Sequence, residues 1–278
     1  PGFKPHDPGP YDTYAYKESK NIVTSLEFER ILSATGPYAG QLVRPSSMRG
    51  KTPVKNHPQK IAWLQCVGSR DKNRCGNGYC SSVCCMYATK EAMIAKEHCD
   101  GDLDCAVFYM DIRSYGKDYE KYLNRAKDRG GVRFIKSRVH SIYEDPQTRE
   151  LHLFFVDESG RMMEEIFDMV VLSVGLQASE SAVELAKRLT IDLNRYNFID
   201  THPLSPVATS RPGVYTCGSL QGPKDIPSSV TEASAAAGAA GTSVAEARGS
   251  DTKSLEVPAE IDVISENAHD DVFMCHFG

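Results

Sequence analysis

The chain has 278 residues, 41% of them hydrophobic and 25% charged, which suffices for one large packed domain or two of ordinary size. Its 32 basic and 37 acidic side chains leave a net charge of −5, which argues against a nucleic-acid or anionic-membrane surface. No apolar run approaches the ~20 residues of a membrane-spanning helix, and the first residues lack the basic and apolar regions of a signal peptide. Nine cysteines without an export signal point to a reducing cytoplasm and to metal or redox use. Because Pro1 is not an initiator methionine, a fragment or a processed chain is expected.

Residues 1–60 hold most of the early prolines and predict little regular structure. Thr24-Ser-Leu-Glu27 is a capping-box pattern, and it predicts a short helix with Leu26, Phe28, Ile31 and Leu32 inward, ended by Gly36-Pro37. Ile61 to Val67 is an apolar run that reads as a buried strand. From about Ser81 the pattern turns helical, carried by Val83, Tyr87, Met93 and Ile94. After a polar loop to Asp104, Cys105 to Met110 predicts a second buried strand that ends at Asp111. Tyr115 to Arg129 reads as an amphipathic helix stopped by Gly130-Gly131, and Val132 to Ile135 as a third strand. Strand, helix, strand, helix, strand is the signature of a parallel α/β unit.

The period then changes to two. Val139 to Tyr143, Leu151 to Val156 and Met162 to Phe167 read as a β-meander, and Met169 to Val174 as one more buried strand. Residues 176–250 predict a different unit: a helix over Ser181 to Leu189, a strand over Gly213 to Cys217, a turn at Gly222 to Pro227, and an alanine-rich helix to about Arg248. That last helix starts either near Pro227 or at the capping box Ser229-Val-Thr-Glu232. Ser250 onward reads as a linker, with Val272 to Cys275 opening something further.

Chemistry concentrates between Cys66 and Cys85, where Cys66, Cys75, Cys80, Cys84 and Cys85 fall within twenty residues. On a helix Cys80 and Cys84 would share a face, and a helix N-terminus favours the thiolate that ligates metals. One such cysteine is most simply a small core side chain. A disulfide suits the set badly, since adjacent Cys84 and Cys85 bridge poorly. All-thiolate ligation suits zinc or an iron–sulfur cluster. Zinc sites usually pair Cys-x2-Cys knuckles, and none occurs here. The Cys-x3-Cys-Cys spacing looks more like a cubane site, with Cys66 and Cys75 both open as the remaining ligand.

Gly76-Asn-Gly78-Tyr-Cys80-Ser81 resembles a dinucleotide-binding glycine loop, but it lies too far beyond the strand. The acid expected about 20 positions on falls near His98 and Asp100, and the strand-end acid Asp111 comes much later. Gly76 and Gly78 are therefore expected to shape a turn that brings Cys80 near Cys66, and bound NADH or NADPH is not expected there.

The stretches Ile61 to Asp71, Tyr79 to Ala88, Phe108 to Arg113 and Gly222 to Pro227 resemble the A-subunit family of heterodisulfide reductase. They are equally similar to its relative in the quinone-interacting membrane-bound oxidoreductase complex. The resemblance implies an α/β, thioredoxin-reductase-like fold: a Rossmann-type parallel sheet of the FAD/NAD(P)-binding kind, with a β-meander. In it, 1–60 is an N-terminal segment of the FAD domain, 61–175 an NAD-domain-like lobe, 176–250 the C-terminal part of the FAD domain, and 251–278 a linker or tail. It further implies a [4Fe-4S] cluster on Cys66, Cys80, Cys84 and Cys85, and FAD approached by Gly218, Ser219, Lys224, Pro227, Ser228 and Ser229. The extra Cys75 competes for the fourth place, where Cys66 is preferred because a strand end is held more rigidly than a glycine loop, and Asp225 is read either as a helix cap or as a group that tunes the flavin.

The glycine fingerprint for the ADP half of FAD is absent from these residues, so they are expected to purify without flavin. The implied role is that of an iron–sulfur flavoprotein passing electrons between FAD and the cluster to partners in the cytoplasm. Those partners would be other heterodisulfide-reductase-type subunits or electron carriers, with a homodimer as one arrangement, and neither nucleic acid nor a membrane span. The alternatives are a zinc-stapled α/β scaffold and an NAD(P)H-dependent flavin or disulfide reductase. No catalytic side chain is assigned.

Overall fold

Two stretches buried on both faces, Lys60–Val67 (β3) and Met169–Val174 (β9), form the centre of the fold. Near-continuous apolar strands of this kind belong inside a parallel sheet covered on both sides. The computed structural model describes residues 2–10, 12–49, 52–53, 57–99 and 102–250. The tail 251–278, with Val272 to Cys275, lies outside the described residues, as does Asp100.

Phe3–Pro5 (β1) and Ile22–Thr24 (β2) come first, the latter running straight into the helix Ser25–Leu32 (α1). After β3 follow a single turn at Lys72–Cys75 (α2), the helix Cys84–Glu97 (α3), the strand Asp104–Tyr109 (β4), the helix Tyr119–Asp128 (α4) and the strand Arg133–Lys136 (β5). The meander is Ser141–Glu144 (β6), Leu151–Val156 (β7) and Met162–Phe167 (β8). Beyond β9, Leu176–Ala178 (β10) pairs antiparallel with β1. Two helices, Glu180–Leu189 (α5) and Ile226–Arg248 (α6), complete the described chain. The central sheet has the order β2-β9-β3-β4-β5, with every neighbouring pair parallel.

Each face of the sheet has its own core. Ala62, Leu64, Phe108 and Leu172 meet Leu151, Leu153, Phe155 and Phe167 of the meander. On the other face Ile61, Trp63, Val107 and Val171 meet Phe28 and Ile31 of α1 and Ala88, Ala92 and Ala95 of α3. The alanines let α3 lie close to the strands. Trp63 packs edge-on against Phe28, with ring centroids 5.4 Å apart, and its indole N–H donates to Glu91 Oε2 at 2.9 Å. Thus part of the first sixty residues shares a core with the 61–175 lobe.

The parallel α/β unit and the meander form as the periodicities predict, with ends shifted by a few residues. The capping box is present: Glu27 N donates to Thr24 Oγ1 at 3.3 Å and Thr24 N to Glu27 Oε2 at 2.7 Å. Three expectations are corrected. Leu26 points out at 43% exposure, whereas Phe28 and Ile31 are buried and Leu32 packs half-buried against the same core. The helix expected from Ser81 starts at Cys84, since the residues before it are spent on a turn held by side chains. No strand forms over Gly213 to Cys217, where a single bridge links Tyr215 to Ala208 and no sheet lies beside it to extend the pairing. The start of α6 is settled by Asp225, whose carboxylate accepts from Ser228 N at 2.9 Å, with Pro227 in the first turn.

Glu91 is 1% exposed, and its Oε1 has no partner among the described residues. Burial pushes its carboxyl well above the ordinary value, against the Trp63 hydrogen bond. The folded chain therefore keeps a proton that the unfolded chain releases, so stability falls as pH rises from the unfolded pKa toward the folded one. Glu91→Gln keeps an acceptor for Trp63 and cannot ionise. Thermal melts at pH 5 and pH 8 are expected to show wild type losing up to about 1.4 kcal/mol per pH unit relative to the variant. Parallel pH dependences would contradict a buried neutral acid.

Candidate functional site

Ligand sites in open parallel sheets gather at the C-terminal ends of the strands. Here that edge carries Cys66 from β3, Asp111 beyond β4, and Val174 and Gly175 from the end of β9. The register of β3 against β9 shifts there: Leu64 pairs with Leu172, but Val67 with Val174. Three residues on β3 therefore span what two span on β9, which makes a β-bulge. Cys66 sits in it with φ of 62°, a left-handed conformation that is costly for a residue with a Cβ. Without the bulge, alternation would place Cys66 on the meander face with Ala62 and Leu64. In the structure Val67 takes that place in the core.

The chain then folds back on itself. Arg70 N donates to Tyr79 O and Asp71 N to Asn77 O, both at 2.8 Å, and Asn77 Nδ2 reaches Gly68 O at 2.9 Å. Asp71 caps α2 by accepting from Arg74 N at 3.1 Å and binds Arg138 Nη2 at 2.6 Å. Gly76, with φ of 74°, closes that turn. Tyr79 OH donates to Leu176 O, and Leu176 N to Ser81 Oγ, both at 2.9 Å. These bonds carry Cys80 to Cys66, the service expected of the glycine loop. The shared helical face expected for Cys80 and Cys84 is not formed: Cys80 lies in the loop, and Ser82, with φ of 65°, breaks any helix before Cys84.

Cys66, Cys80, Cys84 and Cys85 stand within electrostatic reach of one another. Burial pushes the Cys84 thiol up strongly, with Cys85, Cys66 and Cys80 adding to it. Burial lifts Cys85 to about 11, again with contributions from Cys66 and Cys80. Cys66 is raised by burial and by Cys80, against Arg70. Cys75 is elsewhere: its thiol donates to Asp71 O at 3.0 Å and packs against the meander-side core. Cys105 is buried with its thiol on Ala92 O at 3.7 Å. Ser82 N donates to Cys80 Sγ at 3.3 Å, and Tyr87 OH to Val174 O at 2.6 Å just below Cys84. Among the described residues no three His, Cys, Asp or Glu side chains converge tightly enough to hold a single metal ion.

The other residues expected at a cofactor surround the start of α6. Gly218, with φ of 68°, donates its N–H to Glu232 Oε2 at 2.8 Å, beside Ser219 in a 3-10 turn. Lys224 is largely buried and is held by Gln221 and Glu232. Asp225 serves as the helix cap and also accepts from Tyr119 OH at 3.2 Å. Burial works against its charge, but Ser228 and Tyr119 hold its carboxyl below the ordinary value. Ser229 Oγ donates to Asp225 O at 2.7 Å.

A cleft of about 690 Å³ runs beside both groups, and none of the four cysteines lines it. Ser82, Val83 and Met86, next to the cysteines, form one wall, and Lys224 to Pro227 form another. Of the expected flavin residues, Lys224 and Pro227 line this cleft, whereas Gly218, Ser219, Ser228 and Ser229 do not. Tyr115, Tyr119 and Tyr122 of the α4 region give it an aromatic side. No local signal marks this side in advance, since the spacing of the tyrosines reads simply as an amphipathic helix.

The pyridine nucleotide-disulphide oxidoreductase profile matches residues 10–237. The chain belongs to that family. Its fold is shared by thioredoxin reductases: those of T. acidophilum and Lactococcus lactis superpose with TM-scores of 0.52 and 0.51, over 87% and 88% of this chain and 64% of each of theirs, at 16% identity. Similarity to the A subunits of heterodisulfide reductases extends along most of the chain. The A 2 iron-sulfur subunit of CoB–CoM heterodisulfide reductase from Methanopyrus kandleri is 43% identical over 248 residues, 88% of this chain and 36% of that protein. The A subunit of the H(2)/formate:CoB-CoM heterodisulfide,ferredoxin reductase from Methanococcus maripaludis is 44% identical over 241 residues, 86% of this chain and 35% of that one. The chain thus spans little more than a third of the length of these relatives.

Gly175 is where β9 crosses the cysteine loop. A Cβ there would meet Ser81 Oγ at 2.7 Å and Gly68 O at 3.1 Å. Gly175→Ala is expected to cost about 1–3 kcal/mol of stability and to speed thiol labelling of the cysteine loop. Combining it with Ser81→Ala, which clears the nearest atom, should give less than the sum of the single losses in denaturant titrations. Strict additivity would show that the crossing does not press on Ser81.

Proposed function

We propose that this chain is the part of a heterodisulfide reductase A-type oxidoreductase in which an iron–sulfur cluster and a flavin face one another. The observation that carries the reading is the cleft, which sets the thiol-bearing loop and α3 against Lys224 and the start of α6. The donor set fits a [4Fe-4S] cluster. Four thiols gather at a strand end, the loop beyond it and a helix start, and each cysteine of a cubane binds a different iron, so its ligands need not converge as those of one zinc ion must. Burial keeps the free thiols protonated, so metal is needed to hold them as thiolates.

Cys66, Cys80, Cys84 and Cys85 would hold the cluster, with Cys66 favoured over Cys75 by the turn of the loop. FAD would lie along Lys224 and Pro227, with Gly218, Ser219, Ser228 and Ser229 shaping the turn and cap behind them. Together the two groups would supply exchange between single electrons and electron pairs. The positive end of α6 favours negative charge in the cleft, and Lys224, fixed by Glu232, keeps its ammonium at the wall. The tyrosines and Met86 give the cleft largely apolar walls. The partners in this reading are other heterodisulfide-reductase-type subunits or electron-carrier proteins, with a homodimer as one arrangement, in the cytoplasm. No helix among the described residues is long and apolar enough to cross a membrane. The same reading divides the chain at 60, 175 and 250.

Iron, sulfide, zinc and flavin analysis of protein purified without oxygen tests this. Serine at Cys66, Cys80, Cys84 or Cys85 is expected to abolish the visible cluster absorption, and serine at Cys75 or Cys105 to leave it. Loss in Cys75→Ser with retention in Cys66→Ser would reverse the fourth ligand, and stoichiometric zinc without iron would favour a scaffold. Neither NADH nor NADPH is expected to bind the cysteine loop. Saturable binding that disappears on substituting Gly76 or Gly78 would sink that part.

A further inference from the structure

Asp111 follows β4, the second strand of the β3-α3-β4 unit. In dinucleotide-binding folds an acid at this strand end takes the ribose hydroxyls. Here both carboxylate oxygens are engaged by Arg70 in a fork: Nη1 to Oδ1 and Nη2 to Oδ2, each at 2.8 Å. Arg113 Nε adds a contact to Oδ1 at 3.3 Å. A planar, bidentate pair of this kind fixes the orientation of the guanidinium and not merely its charge.

The fork is aimed at the cysteines. The Arg70 side chain lies beside Cys66, where its charge opposes both burial and the Asp111 carboxylate. The Arg70 backbone N–H holds the carbonyl of Tyr79, the residue before Cys80, at 2.8 Å. The Asp111 carbonyl lies 4.0 Å from Cys85 Sγ. One ion pair therefore touches the surroundings of three of the four thiols. Arg70 also has φ of 56°, a second left-handed non-glycine residue four positions after Cys66. Such strain persists where the surroundings over-determine it, often at functional sites.

We propose that Arg70, clamped by Asp111, is a positioning residue that keeps a positive charge beside the cysteine loop and sets how readily this centre accepts an electron. The inference rests on the cluster reading above. Adding one electron makes a thiolate-ligated centre more negative and forms or breaks no bond, so a cation fixed beside it favours the reduced state. The strand-end acid then serves the metal centre by holding an arginine where dinucleotide-binding members of the fold hold a nucleotide.

The test uses the full-length protein, purified without oxygen and titrated with a chemical reductant while the cluster signal is followed by electron paramagnetic resonance. Arg70→Gln is expected to keep wild-type iron and sulfide. Its one-electron reduction constant should fall at least tenfold, about 59 mV to more negative potential. Arg70→Lys should recover part of that shift, since it restores charge without the fork. In the Arg70→Gln background, Asp111→Asn should move the potential by a different amount than it does alone. An unchanged potential in Arg70→Gln with iron intact would overturn the proposal, and additivity with Asp111→Asn would overturn the clamp. If Arg70→Gln loses iron, Arg70→Lys decides: retained iron with an intermediate potential supports the role of charge, and equal loss overturns it. Wild-type protein without iron and sulfide would instead refute the cluster reading itself.

Discussion

The pairing of β3 with β9 at its last rungs is the contact on which the cysteine arrangement depends. Gly175 N donates to Val67 O at 2.8 Å, and the extra residue that β3 accommodates just before this point is absorbed at Cys66. A bulge turns a side chain without moving the strand that bears it. Cys66 is thereby freed from the meander face, while Val67 fills the core position that alternation would have given to its neighbour. Everything downstream in the loop follows from that turn: Gly68 continues it with φ of 79°, and the back-pairing of Asp71 with Asn77 closes it.

The resulting centre is poorly suited to free thiols and well suited to ligated ones. Cys84 and Cys85 are raised mainly by burial, so unligated they stay neutral. The features that would offset thiolate charge are already in place: the N-terminus of α3, the Ser82 N–H on Cys80, and the Arg70 guanidinium near Cys66. Each favours negative charge on sulfur, and none requires movement to do so.

The second half of the site is less well supported by its own packing. The apolar cluster formed by Ala186, Ile191 and Ile199 is small, and α6 buries no residue along its length. Its start is nonetheless tied down, by Asp225 as cap, by Tyr119 from the α4 region, and by the Lys224–Glu232 pair. The wall of the cleft at Lys224 to Pro227 is thus held more firmly than the helix behind it.

Much of this was legible in the sequence. The apolar runs of β3, β4 and β9, alternating with helices, point to a covered parallel sheet, because strands apolar on both faces must be buried on both. Thr24 and Glu27 carry their capping box in four residues, and the crowding of cysteines is plain from the residue order alone. Local pattern was a poorer guide where side chains from distant segments decide the outcome. The helix expected from Ser81 yields to a turn because Ser81 is needed by Leu176 N, and the Gly213 to Cys217 strand fails for want of a neighbour. The sequence favours Cys66 over Cys75 because a strand end is held more rigidly than a glycine loop; the bulge that turns Cys66 is visible only against β9. The clamp of Arg70 by Asp111 joins residues 41 apart in sequence, which nothing in either local stretch foretells. Periodicity records which face of an element is buried; which side chains meet at the sheet edge is set by register and crossing, and those exist only once the strands are paired.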